Sequence, residues 1–153
     1  MTGTSLRKLI KTVNTALLTS RTMTRILIVD DSLQVRTALR MCLELNKDWT
    51  VCGEVDNGQA AIEMARRLKP DVVLLDYAMP VMNGVEAARR IAEIAPECAI
   101  LMFTMFASEQ LSAVAHAAGV WAVVSKDVGG ISELVAAIKE AGGGAGCTRG
   151  FAC

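Results

Sequence analysis

Residues 70–84 have the sequence Pro-Asp-Val-Val-Leu-Leu-Asp-Tyr-Ala-Met-Pro-Val-Met-Asn-Gly, and this stretch decides the fold. Val72–Leu75 is a short, wholly apolar run between Asp71 and Asp76, which is typical of a strand buried on both faces. A turn-forming segment follows, and a helical pattern begins at Gly84. A buried strand, a loop and a helix in succession form the unit from which parallel sheets with crossover helices are built.

The same alternation extends from this stretch in both directions. Strands are predicted at residues 25–29, 49–55, 72–75, 98–103 and 120–124. Helices are predicted to begin near Ser32, Gly58, Gly84, Ser108 and Ile131, one after each strand. Because the strands are apolar along their length, helices must cover both faces of the sheet. The sequence therefore predicts an α/β domain over residues 25–141, a three-layer sandwich around a parallel five-stranded sheet.

Composition separates this predicted domain from the two ends of the chain. The chain has 153 residues, of which 52% are hydrophobic, and its formal net charge is +0. One ordinary domain with a real core is expected, and a globally basic nucleic-acid-binding chain is not. Residues 1–24 carry four bases and no acid. We expect them to form a basic extension without fixed structure, while a membrane-surface helix or a presequence stays open. The glycine-rich residues 142–153 are expected to form a flexible tail.

Two classes of protein are disfavoured by what the sequence lacks. No apolar run reaches the roughly 18 residues that a membrane-spanning helix requires. The five cysteines include no Cys-x-x-Cys pair. This pattern favours the reduced thiols of a cytoplasmic protein over a disulfide framework or a zinc site.

Charged and hydroxyl side chains stand where four of the five predicted strands end. Asp30 and Asp31 follow the first strand, Asp76 the third, Thr104 the fourth and Lys126 the fifth. In a parallel sheet these ends share one rim, where the sites of open α/β proteins form. Any one of these residues alone would more often be a helix cap or a surface group. Their coincidence on one rim favours a functional site.

This combination of groups suits phosphoryl transfer. Three clustered carboxylates repel one another, so the pocket favours a bound cation, and oxygen ligands suit Mg²⁺. Lys126 supplies a positive charge that can pair with Asp76 or with a phosphoryl oxygen, and Thr104 can donate a hydrogen bond to that oxygen. An aspartate beside Mg²⁺ can act as a nucleophile toward phosphorus and form an acyl phosphate.

These segments resemble the receiver domain of response regulators, the phosphorylation switches of bacterial two-component systems. The resemblance rests on residues 26–32 (ILIVDDS), 70–84, 101–104 (LMFT) and 123–126 (VVSK), and it covers about three quarters of the chain. It implies a flavodoxin-like (βα)5 fold with strand order 2-1-3-4-5. The sequence at residues 101–105 and 126–127 is similar to the subfamily that normally carries a C-terminal helix-turn-helix output domain.

The resemblance implies a role for each rim residue. Asp76 corresponds to the phosphate acceptor. Asp31 corresponds to a direct Mg²⁺ ligand, Asp30 to its water-mediated companion, and the backbone carbonyl of Ala78 to the third protein ligand of the metal.

The remaining roles concern the switch and its partners. Thr104 corresponds to the hydroxyl that moves toward the phosphoryl group, and Lys126 to the lysine that pairs with it. The implied phosphodonor is a histidine kinase. The implied output surface is the fourth helix, fifth strand and fifth helix, through which a homodimer can form.

Two features depart from the family pattern. Val123 stands where the family usually has Tyr or Phe, and Trp121, two residues earlier, has the same strand parity and is left open as its substitute. No helical pattern or basic stripe of a DNA-binding domain follows residue 141. We therefore expect a stand-alone receiver or the product of a truncated gene, with no direct nucleic acid binding by this chain.

Two other classes of function compete with the switch. Val123 is compatible with a receiver-like interaction module that no longer switches. An enzyme on the same architecture is the other alternative. Aspartyl phosphohydrolases usually place a second acid two residues after the nucleophile, where this chain has Ala78, and a nucleotide-binding protein would need a phosphate loop in place of Asp30 and Asp31. We therefore expect a signalling switch that catalyses only its own phosphorylation and dephosphorylation.

Overall fold

The computed structural model describes Lys8 and residues 23–142, so most of the predicted N-terminal extension and C-terminal tail lies outside the described residues. Within 23–142, strands and helices alternate as predicted. They are β1 (Thr24–Val29), α1 (Leu33–Leu43), β2 (Trp49–Val55), α2 (Gly58–Leu68), β3 (Val72–Leu75), α3 (Gly84–Ile94), β4 (Ala99–Thr104), α4 (Glu109–Ala117), β5 (Ala122–Ser125) and α5 (Gly130–Gly142).

The five strands form one parallel sheet in the order β2-β1-β3-β4-β5. Two hydrophobic cores lie on its two faces. The first contains the buried faces of α2, α3 and α4, and the second those of α1 and α5. The four residues of β3 are all buried, because this strand has a neighbour on each edge and helices on both faces. The predicted flavodoxin-like fold and strand order are confirmed.

Short polar side chains begin four of the helices. Ser32, Asn57 and Ser108 accept hydrogen bonds at the N-termini of α1, α2 and α4. Asn83 and Glu86 form a capping box at the start of α3. Such caps satisfy backbone N–H groups that have no partner within the helix. They fix where each helix leaves the rim, and so they fix the positions of the residues that end the strands.

Element boundaries differ from the sequence prediction by one or two residues at several places. The fifth strand was predicted from residue 120 but begins at Ala122. The N–H of Val120 bonds to the carbonyl of Ala115 and so completes the end of α4 instead of the sheet. The last helix begins at Gly130, one residue before the predicted start. A Cβ at this position would lie 1.8 Å from the carbonyl oxygen of Ser125, so only glycine fits there.

The described cysteines have free thiols, as the sequence predicted. Cys42, Cys52 and Cys98 are unpaired, while Cys147 and Cys153 lie outside the described residues. Burial raises the pKa of the Cys98 thiol to about 12, so this thiol stays protonated at neutral pH. In the part of the chain that the structure describes, the helices are too short or too polar to cross a membrane.

The backbone that precedes residue 84 leaves room only for glycine at this position. A Cβ at this position would lie 2.2 Å from the carbonyl oxygen of Asp76 and 2.9 Å from the Cα of Tyr77. We predict that Gly84→Ala lowers the free energy of unfolding by about 1–3 kcal/mol, because backbone atoms must move to admit the methyl group. Denaturant unfolding measures the loss.

Gly58→Ala is the matched control, since Gly58 is also the first residue of a buried helix start. The three atoms nearest to its Cβ would all belong to the side chain of Met82, at 3.0–3.2 Å. We expect its stability to stay within about 1 kcal/mol of the wild type. Equal losses in the two variants would contradict the backbone contact as the cause.

Candidate functional site

Two aspartates follow β1 at the point where the order of the strands reverses. The sheet continues past the strand ends, because the N–H of Asp30 bonds to the carbonyl of Val55 at 3.2 Å and that of Asp76 to the carbonyl of Val29 at 2.9 Å. These bonds place Asp30 and Asp76 side by side on neighbouring strands. Ligand sites of open α/β sheets form at this reversal of strand order.

The acidic cluster consists of Asp30, Asp31 and Asp76. One carboxylate oxygen from each of the three residues lies within 4.8 Å of the other two. Asp30 and Asp76 are buried, at 2% and 8% exposure, whereas Asp31 is exposed. Two buried carboxylates this close repel each other unless a positive charge lies between them. The cluster therefore needs a cation, and one face of it stays open to solvent through Asp31.

Lys126 supplies one positive charge from the other side. Its Nζ lies 2.5 Å from Oδ2 of Asp30 and 3.1 Å from Oδ2 of Asp76, and its side chain is 11% exposed. It also lies 5.9 Å from the centre of the Phe103 ring, within the range of a cation–π contact. The sequence predicted a partnership with Asp76, and the structure adds the shorter contact with Asp30.

Thr104 ends β4 and is completely buried. Its carbonyl accepts a hydrogen bond from the N–H of Lys126 at 2.9 Å, which ties the ends of β4 and β5 together. Its Oγ1 accepts a hydrogen bond from the N–H of Phe106 at 3.3 Å. The hydroxyl proton of Thr104 is thus left free to be donated to another group.

The acidic cluster fits the donor set that Mg²⁺ prefers. Two oxygens bound to the same Mg²⁺ can lie at most about 4.2 Å apart, since each bond is 2.0–2.1 Å long. Carboxylate oxygens within 4.8 Å of one another need only small rotations to meet that condition. The exposed carboxylate of Asp31 offers a direct path from solvent. Receiver domains bind Mg²⁺ at such an acidic pocket.

Of two further residues from the sequence prediction, Ala78 lies close to Asp76 in the chain and Trp121 lies far from the site. Ala78 is exposed in the loop after β3, two residues beyond Asp76, and its carbonyl remains a predicted ligand. Trp121 does not lie near the site. Its N–H bonds to the carbonyl of Ile100 at the start of β4, whereas Thr104 pairs with Ser125. The separation is four residues, or about 13 Å along the strand.

Three contacts at the site were not predicted from the sequence. Arg36 donates from Nη1 to the carbonyl of Asp30 at 2.7 Å. A basic residue on the first turn of α1 is the sequence feature that could have indicated this contact. The ring of Phe103 beside Lys126 follows from the pairing of β4 with β5. The bond between the Phe106 N–H and Thr104 has no sequence signal, because it depends on how the loop after β4 turns.

The chain matches a family model described as the response regulator receiver domain over residues 26–139. Among curated proteins, it is 37% identical over 122 residues to the transcriptional regulatory protein LnrK of Bacillus subtilis (strain 168), covering 80% of this chain and 56% of that protein. It is 33% identical over 118 residues to the response regulator GacA of Pseudomonas aeruginosa, covering 77% and 55% respectively. The chain thus spans about half the length of these relatives.

Solved structures give the same result. The signal receiver domain of the putative response regulator NarL from Mycobacterium tuberculosis matches with a TM-score of 0.74 and 29% identity, covering 80% of this chain and 98% of that one. The matched residues include every strand end that forms the acidic cluster and its lysine. The chain therefore belongs to the response regulator receiver domain family, the signalling switches of two-component systems.

Proposed function

We propose that this chain is a phosphorylation switch of a two-component phosphorelay, working in the cytoplasm, in which Asp76 accepts a phosphoryl group from a histidine kinase. One observation carries the proposal. The carboxylate of Asp76 lies within 4.8 Å of two further carboxylates, while Lys126 Nζ contacts it from the side at 3.1 Å. This arrangement presents a nucleophile between two places where positive charge can neutralise a phosphoryl group.

The proposed transfer is a single displacement at phosphorus. An oxygen of the Asp76 carboxylate forms the new P–O bond while the P–N bond of the kinase phosphohistidine breaks. The electron pair of that bond stays with the imidazole, which takes up a proton after it leaves. Lys126 stands where it can hold the phosphoryl oxygens, and the free proton of the Thr104 hydroxyl can be donated to one of them.

We propose that Asp30, Asp31, Asp76 and the carbonyl of Ala78 hold the metal for this transfer, with Asp30 acting through a water molecule. Mg²⁺ bound there would supply the positive charge that brings the anionic donor to the anionic aspartate. Asp30 is also held by Lys126 and by the N–H of Ser32, which donates to its Oδ1 at 2.9 Å. These bonds orient the carboxylate before any ligand arrives.

We propose that the output surface is α4, β5 and α5, used for a homodimer or for partner docking. Several apolar side chains are exposed on these elements and the loops beside them, namely Met105, Val114, Trp121, Val128 and Ile131. Acids outnumber bases after residue 24, so we propose no direct nucleic acid binding by these residues.

Magnesium binding tests the proposed metal site directly. We expect Asp31→Asn to weaken Mg²⁺ binding by about tenfold or more, because loss of a direct ligand should cost at least as much as loss of an outer-shell contact. Isothermal titration calorimetry of the purified protein measures the dissociation constant. Glu93→Gln, which removes an exposed acid from α3, makes the same charge change away from the cluster and should leave the affinity unchanged. Equal affinities for wild type and Asp31→Asn would contradict the site.

A further inference from the structure

The groove between α3 and α4 is lined in part by two aromatic side chains. It encloses about 400 Å³ and is lined mainly by apolar groups, including Val85, Leu111 and Val114. Tyr77 and Phe106 meet there edge to face, with ring centres 6.5 Å apart. Each of these residues is also connected to the proposed phosphorylation site. Tyr77 directly follows Asp76 in the chain, and the N–H of Phe106 donates a hydrogen bond to Thr104 Oγ1.

Receiver domains usually couple the rotamer of a Tyr or Phe on the last strand to the threonine of the site, and this coupling cannot operate in the present chain. Val123 occupies the position of that aromatic and packs against the core under α2, α3 and α4. Its side chain is short and rotates about essentially one bond, so it cannot move into space that the Thr104 hydroxyl vacates. Trp121 lies just before β5, at the end of the strand that is remote from Thr104, and cannot replace it. Another route must connect the site to the surface if the domain switches.

The loop after β4 offers this route. The backbone of Thr104 is held by its bond to the Lys126 N–H, so the hydroxyl can approach a phosphoryl group only by rotating its side chain. That rotation removes the acceptor from the Phe106 N–H. Residues 105–108 are all exposed, and Phe106 itself is 60% exposed, so few contacts resist a shift of this loop.

We propose that Phe106 and Tyr77 carry the state of the phosphorylation site to the groove between α3 and α4, in place of the missing aromatic of β5. The inference rests on the proposed function. When Thr104 turns toward the phosphoryl group, Phe106 is released and repacks against Tyr77 and the walls of the groove. Both act as positioning residues, since neither touches the phosphoryl group.

Fluorine NMR of protein labelled with fluorophenylalanine tests this coupling. The chain has three phenylalanines, Phe103, Phe106 and Phe151, and Phe106→Leu and Phe103→Leu assign the first two signals. Beryllofluoride with Mg²⁺ is the probe, as an analogue of the acyl phosphate. We expect the Phe106 signal to shift by more than its line width on adding the probe. The Phe103 signal, beside Lys126, reports binding itself.

Variants separate coupling from binding. Thr104→Val removes the acceptor and keeps the shape. At a beryllofluoride concentration raised until the Phe103 signal responds, the Phe106 shift should still be lost, and Thr104→Ser should restore it. Tyr77→Leu should reduce the Phe106 shift, and Tyr77→Phe should preserve it.

A Phe103 response without any Phe106 response in the wild type would overturn the inference and leave the proposed function standing. An unchanged Phe106 shift in Thr104→Val and Tyr77→Leu would also overturn it. No response at either signal would overturn the proposed function, and the inference with it.

Discussion

Replacing Lys126 with methionine should lower the free energy of unfolding of the magnesium-free protein by about 3 kcal/mol, the cost of breaking a buried ion pair. Methionine keeps most of the length and volume of the side chain but removes its charge. Asp30 and Asp76 would then face each other at 3% and 9% side-chain exposure without the ammonium group that now contacts both. Uncompensated buried carboxylates are strongly unfavourable.

Magnesium should reverse part of this loss. Lys126 Nζ contacts the carboxylates of Asp30 and Asp76, which would also attract Mg²⁺, so removing the lysine leaves more negative charge for the metal. A ligand that binds only the folded state stabilises it by about 2.7 kcal/mol at 100 times its dissociation constant. We therefore expect a given Mg²⁺ concentration to stabilise Lys126→Met more than it stabilises the wild type.

Urea unfolding followed by tryptophan fluorescence measures both effects, because Trp49 is 94% buried in the core between β2 and α1. Lys139→Met is the matched control, since Lys139 is exposed on α5. Asp30→Asn added to Lys126→Met should recover stability by removing one of the two facing charges. A Lys126→Met protein as stable as the wild type in EDTA would contradict the buried pair.

The fold could be predicted from the sequence because its signals are local. Val72–Leu75 is so apolar that only a strand covered on both faces accommodates it, and its boundaries match the structure without error. Pro70, which cannot continue a helix, follows the end of α2 at Leu68 equally closely. The boundary of β5 was missed because the Val120 N–H serves the end of α4, a choice that tertiary hydrogen bonding makes.

The sequence predicts which residues of the site are neighbours but not which of them are in contact. Strand ends on one rim bring Asp30, Asp76, Thr104 and Lys126 together in any parallel sheet of this order. Which of them touch depends on side-chain rotamers, which no spacing determines. The Lys126 contact with Asp30 joins residues 96 positions apart in the chain. The link from Thr104 to Phe106 depends on a loop turn and was therefore missed as well.

Loss of phosphorylation in Asp76→Asn should be complete, and this is the largest effect that the account predicts. An amide is not nucleophilic toward phosphorus, while it fills the same space as the carboxylate. The substitution also removes one of two facing buried charges, so the variant should be folded and at least as stable as the wild type in EDTA. Failure to react can then be assigned to chemistry and not to unfolding.

The most direct test of the central claim is the intact mass of the purified protein after incubation with Mg²⁺ and acetyl phosphate. The account predicts a gain of one phosphoryl group in the wild type and in Glu93→Gln, and no gain in Asp76→Asn or when EDTA removes the metal. A folded wild type that gains no mass and does not bind beryllofluoride would contradict the switch and favour a receiver-like module that only binds partners. An equal gain in Asp76→Asn would show that another residue accepts the phosphoryl group.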